Sequence, residues 1–151
     1  MKKLLFIALF LTAFSASYAQ QENPVHWHIS HTKQMGNKYQ FHFKALINPP
    51  YHIYAQKNTS DVALPTTIHF RLNPEFELQG TPTENGTLET KKDQTSGTVI
   101  NYYSQEVDFV QLFTLKHKGK TIIKGYISYM ACTDDHCLPE AKKNFSITIT
   151  K

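Results

Sequence analysis

Between Tyr39 and Ile47 the chain alternates: Tyr39, Phe41, Phe43, Ala45 and Ile47 are apolar, and Gln40, His42, Lys44, Leu46 and Asn48 follow them in a mostly polar set. A period of two puts one set on a core and the other toward solvent, which is the signature of a half-buried strand. The same reading predicts strands near residues 25–31, 66–72, 109–116, 121–130 and 144–150, several rich in β-branched and aromatic side chains. No window carries a helical stripe. Turn signals separate the runs at Met35-Gly36-Asn37-Lys38, Asn48-Pro49-Pro50, Leu72-Asn73-Pro74 and Lys118-Gly119-Lys120. The expected fold is therefore all-β and antiparallel, and its size and strand count favour an immunoglobulin-like two-sheet sandwich over a barrel. Residues 80–97 are polar apart from Leu88 and are expected as a surface loop or short hairpin.

The first residues read as an export signal. Lys2 and Lys3 precede an apolar run from Leu4 to Phe14, and Ser17-Tyr18-Ala19 offers small residues for cleavage, giving a signal at 1–19 and one domain at 20–151. The run is shorter than the ~20 residues a bilayer-spanning helix needs, and no later stretch reaches that length, so the mature chain is expected to have no stable membrane insertion. About 130 residues then remain, enough for a single core. The two signal lysines account for half of the formal charge of +4. Charges of both signs are interspersed, and no basic stripe points to nucleic acid.

Chemistry concentrates in Cys132 and Cys137, the only two cysteines, in Tyr129-Met130-Ala131-Cys132-Thr133-Asp134-Asp135-His136-Cys137-Leu138-Pro139. In an oxidising compartment such a pair reads as a local staple or a working redox couple. Closing so short a loop gains about 2 kcal/mol in the chain-entropy picture, which makes a weak staple. A third reading is a soft metal site, since the chain has eight histidines and Met130, Cys132, His136 and Cys137 include soft ligands. His26 and His28 flank Trp27, however, and that alternation more simply turns Trp27 inward and both imidazoles to water. Metal ligands and cofactors are accordingly expected to be none. Phosphate-binding loops, His-Glu-x-x-His pairs and nucleophile elbows are absent from the sequence.

Gly125-x-Ile127-x-Tyr129-Met130-Ala131-Cys132, then Cys137-Leu138-Pro139, with Tyr51-His52-Ile53-Tyr54-Ala55 upstream, resembles the amino-terminal periplasmic domain of the thiol-disulfide interchange protein DsbD family. The resemblance runs over most of the mature chain. It implies an immunoglobulin-like sandwich with a redox-active cysteine pair at its rim, acting as a thiol-disulfide oxidoreductase-type electron relay in the periplasm and associated with cytochrome c biogenesis. By motif position Cys137 would form mixed disulfides with thioredoxin-like periplasmic proteins and Cys132 would close the intramolecular bond. The family shields its disulfide with an aromatic ring, which on Asn101-Tyr102-Tyr103-Ser104 falls to Tyr102, with Tyr103 beside it on a loop. Family members are usually fused to a transmembrane domain, so the resemblance implies a separate membrane-embedded electron donor here.

This sequence departs from the family pattern in several places. One residue fewer separates the cysteines than in the best-known members, and Pro139-Glu140 stands where they have two prolines. Tyr54 matches a family tyrosine beside the cysteines, but His52 stands in place of another. Ile100 and Asn101 occupy the positions of acidic cap residues, so acid-base help to the thiols has to come from elsewhere. His136 is the nearest candidate; its protonated ring would favour a thiolate at Cys137, whereas Asp134 and Asp135 oppose it.

Overall fold

The computed structural model describes residues 23–58, 64–71, 73–92 and 97–150; the expected signal at 1–19 lies outside them. In chain order the strands are β1 (Val25–Lys33), β2 (Lys38–Ile47), β3 (His52–Tyr54), β4 (Thr67–Phe70), β5 (Phe76–Gly86), β6 (Glu89–Lys92), β7 (Val99–Tyr103), β8 (Glu106–Leu115), β9 (Lys120–Tyr129), β10 (Ala131–Cys132) and β11 (Ala141–Thr150). All pairings are antiparallel, and the described residues contain no helix. One layer is the sheet β1-β2-β8-β5, and facing it are β11-β9-β4 and β10-β3-β7-β6. β9 runs into β10 through Met130 alone, which joins the two sheets of the second layer. The fold is an immunoglobulin-like β-sandwich, as the alternation predicts.

The alternation of β2 is realised residue by residue: Tyr39, Phe41, Phe43, Ala45 and Ile47 are buried and the residues between them are not. Phe41 stacks on Phe113 of β8 at 3.9 Å between ring centroids, and Phe43 meets Phe145 of β11 at 5.0 Å. Trp27 turns inward against Tyr129, ring centroids 5.3 Å apart, while His26 and His28 stay exposed. Aromatic contacts of this kind add to the area term and fix the spacing of the layers. Gly125 has a steric reason to be glycine, since a Cβ there would collide with the His69 carbonyl and the Phe145 ring.

Of the two forms expected for residues 80–97, the structure has the hairpin, in β6 and β7, and more strand besides. β5 extends to Gly86, and Glu89–Lys92 forms β6, which pairs with β7; residues 93–96 lie outside the described set. The polar composition hides these strands because β5 and β6 are edge strands of their sheets, largely exposed beyond Phe76, and ladder hydrogen bonds need no apolar side chains. A register shift between Gln79 and Thr83 bends β5, with Gly80 at a φ of 67°. Buried Gln111 satisfies that irregularity by donating its side-chain amide to the Gln79 carbonyl at 3.1 Å.

Candidate functional site at the β3-β10 rim

Sheet β10-β3-β7-β6 has two chemically different faces. Ala131, Ile53 and Tyr103, cross-strand partners of one another, face the main core. The alternate residues face outward: Cys132 opposite His52, Tyr54 opposite Tyr102, and Tyr102 opposite Glu89. Because side chains alternate along every strand, the pairing of Ile53 with Tyr103 in the core places His52, Tyr54 and Tyr102 together on the other side. There Tyr54 and Cys132 form a second buried cluster, packed by Ile100, Tyr102 and Met130. Asn58 fastens β7 beside β3: its side chain accepts from the Asn101 N–H at 2.7 Å and donates to the Asn101 carbonyl at 3.0 Å.

Cys132 and Cys137 are joined in a disulfide, with Cα atoms 4.0 Å apart. Cys132 does not sit on a loop; it ends β10 and also makes an antiparallel bridge with Cys137, and Leu138 N–H donates to the Ala131 carbonyl at 2.9 Å. The four residues between them make a turn closed by Thr133 N–H on the His136 carbonyl at 2.8 Å, with Thr133 Oγ1 accepting from the N–H groups of Asp135 and His136 at 3.2 Å each. The two sulfurs end in unlike surroundings. Cys132 is 0% exposed, whereas Cys137 is exposed, with the Tyr54 hydroxyl 3.8 Å from its sulfur.

Tyr102 lies on strand β7 rather than on a loop ahead of a strand, and is half-buried over the outer cluster. Tyr103 is not at the disulfide. It is buried in the main core, and its hydroxyl donates to Glu84 Oε2 at 2.7 Å while Glu84 Oε1 accepts from the Gln56 N–H at 2.6 Å. The His52 ring lies 4.7 Å from that of Tyr102 and 5.6 Å from that of Tyr54. His136 is held to its own turn, with Nδ1 3.1 Å from Thr133 Oγ1 and its ring edge-on to Tyr51 at 6.3 Å. Among the described residues no three of His, Cys, Asp and Glu gather as a metal ion would need.

Electrostatics at the rim follow from partial burial and one ion pair. Lys91 on β6 donates to Asp134 Oδ1 in the cysteine turn at 2.7 Å, which holds the Asp134 carboxyl below its ordinary value and the Lys91 ammonium above its own. Burial lowers the affinity of His52 for a proton, against a smaller opposing pull from Asp134. Burial raises the Tyr54 and Tyr102 phenols. Lys91 and Glu89 carry no mark in the sequence, since a polar stretch reads alike whether or not it borders a site. Their place emerges from the β6-β7 register alone.

No family model matches the sequence, and no curated protein matches it. Solved structures do resemble it. The DsbD N-terminal domain of Neisseria meningitidis in its reduced form is similar with a TM-score of 0.58 at 15% identity, over 85% of this chain and 87% of that one. The N-terminal periplasmic domain of ScsB from Proteus mirabilis gives 0.56 at 10% identity, over 86% of this chain and 47% of that one. At such identities the likeness is one of fold, and this cysteine-bearing chain is a β-sandwich of the architecture shared by the DsbD and ScsB amino-terminal domains.

Proposed function

We propose that the protein is an exported thiol-disulfide exchange domain, relaying electrons through Cys132–Cys137 between a membrane-linked, thioredoxin-like donor and periplasmic thiol proteins. The observation that carries this reading is the inequality of the two cysteines, Cys137 an exposed residue and Cys132 a wholly buried one. Exchange needs a sulfur that a partner can reach and a second thiol near enough to resolve the mixed disulfide, and the pair supplies one of each. A staple gains nothing from that asymmetry. In this reading Cys137 is the exchange cysteine, Cys132 the resolving one, Tyr102 the shielding ring, and Tyr54 the hydroxyl beside the reactive sulfur. The residues at 1–19 serve as the export signal, and the rest forms one working domain. The architecture shared with DsbD and ScsB amino-terminal domains supports the same assignment.

Cys132→Ser is expected to accumulate mixed disulfides with a thioredoxin-like protein, and Cys137→Ser is not. The wild-type pair should equilibrate with glutathione or thioredoxin at a potential above about −300 mV, the region of working disulfides. The opposite trapping pattern would exchange the roles of the two cysteines. A potential far below that limit would leave the disulfide a staple.

A further inference from the structure

Resolution of a mixed disulfide puts a demand on Cys132 that its surroundings do not meet. The attacking species is a thiolate. Cys132 is fully buried among Tyr54, Ile100, Tyr102 and Met130, surroundings with no positive charge to favour a thiolate. A base on the same face of the sheet would remove that difficulty.

The groups around this face are Tyr54 and His52 on β3, Tyr102 on β7, Glu89 and Lys91 on β6, and Asp134 in the cysteine turn. The phenols of Tyr54 and Tyr102 are pushed upward and are protonated at neutral pH. Lys91 holds its proton against Asp134, and Asp134, bound to that ammonium, is a weakened base. Glu89 lies across β7, two strands from β3. His52 remains. It is the direct cross-strand partner of Cys132 in the β3-β10 pair, so the two side chains leave the same face.

We propose that His52 is the proton acceptor for Cys132 in the resolving step, an inference that rests on reading the pair as exchange-active. As the Cys132 thiol gives its proton to the imidazole, its sulfur attacks the Cys137 sulfur of the mixed disulfide. The bond from Cys137 to the partner sulfur breaks, and its electron pair leaves on the partner, which takes up a proton to become a thiol. Cys132 is thereby oxidised and the partner sulfur reduced, while the Cys137 sulfur passes from one disulfide to the other. In the reverse direction the imidazolium returns the proton to Cys132 as it leaves. Burial keeps the imidazole unprotonated near neutrality, the form that can accept. The rings of Tyr102 and Tyr54 flank it at 4.7 and 5.6 Å between centroids.

The two steps separate when reduced full-length protein reacts with 5,5′-dithiobis(2-nitrobenzoate). Attack by Cys137 releases one thionitrobenzoate, and attack by Cys132 on the resulting mixed disulfide releases a second. His52→Ala and His52→Gln are both expected to slow the second release at pH 7 by about 100-fold or more relative to the first, the lower end of what general base catalysis contributes. Wild-type resolution should fall as pH drops through an inflection below 6.5, where the imidazole becomes protonated. In the variants that inflection should be absent, and the rate should instead rise continuously with pH, as exchange by a thiol without an internal base does. A second phase with the same rate and inflection in wild type and both variants would overturn the role of His52. Failure of wild type to release the second thionitrobenzoate would overturn the exchange reading beneath it.

Discussion

Tyr102 and Tyr103 are consecutive, aromatic and opposite in consequence. On a strand, neighbours face different sides, so Tyr102 lies over the Cys132 cluster while Tyr103 is sealed in the main core with its hydroxyl on Glu84. In its proposed shielding role Tyr102 denies a small reductant in-line access to sulfur. Tyr102→Ala should speed reduction of the folded protein by dithiothreitol severalfold with its β-sheet circular dichroism retained. Tyr103→Ala empties a core site and leaves the Glu84 Oε2 without its donor; a buried aromatic truncated to alanine typically costs about 3–5 kcal/mol. That variant should unfold at much lower urea, and where still folded should be reduced at the wild-type rate. Equal reduction rates in wild type and Tyr102→Ala would remove the shield.

At the scale of elements, β6 meets the cysteine turn through the Lys91–Asp134 pair, and both side chains are mostly in water. Exposed pairs are weak and screened, so this contact tunes how closely β6 lies against the turn and adds little to stability. Lys91→Glu should raise the dithiothreitol reduction rate a few-fold at low salt, Lys91→Glu with Asp134→Lys should return it toward wild type, and all three proteins should converge near 1 M salt. Rates that ignore both charge and salt would show that the contact does not restrain the turn. The sequence made β2 legible because one of its faces is buried, and the same holds for β8 and β9. It left β5 and β6 illegible because neither buries a regular face, and a backbone ladder has no side-chain signature. The site was legible in part for the same reason. Cys132 and Cys137 are neighbours in sequence, and the family resemblance pointed to Tyr54 and Tyr102, but the facing of Cys132 and His52 is a register across 80 residues of chain and becomes visible when β3 and β10 pair.

Over the whole molecule, the sandwich is expected to keep its fold without its disulfide. The loop it closes is short, and its removal should cost about 2 kcal/mol, less than truncating one ring of the Phe41–Phe113 stack at about 3–5 kcal/mol. Urea unfolding with and without reductant should therefore show a modest shift in midpoint and one cooperative transition in both states, and a reduced domain that lost its fold would contradict this. The reason returns to the two faces of the β10-β3-β7-β6 sheet. Ile53, Tyr103 and Ala131 belong to the core, and the residues alternating with them belong to the site. Architecture and chemistry are thus written on interleaved positions of the same strands, like two texts on alternate lines. Substitution at the outward positions can retune redox poise or partner choice in a lineage or in a design campaign, while the scaffold is inherited unaltered.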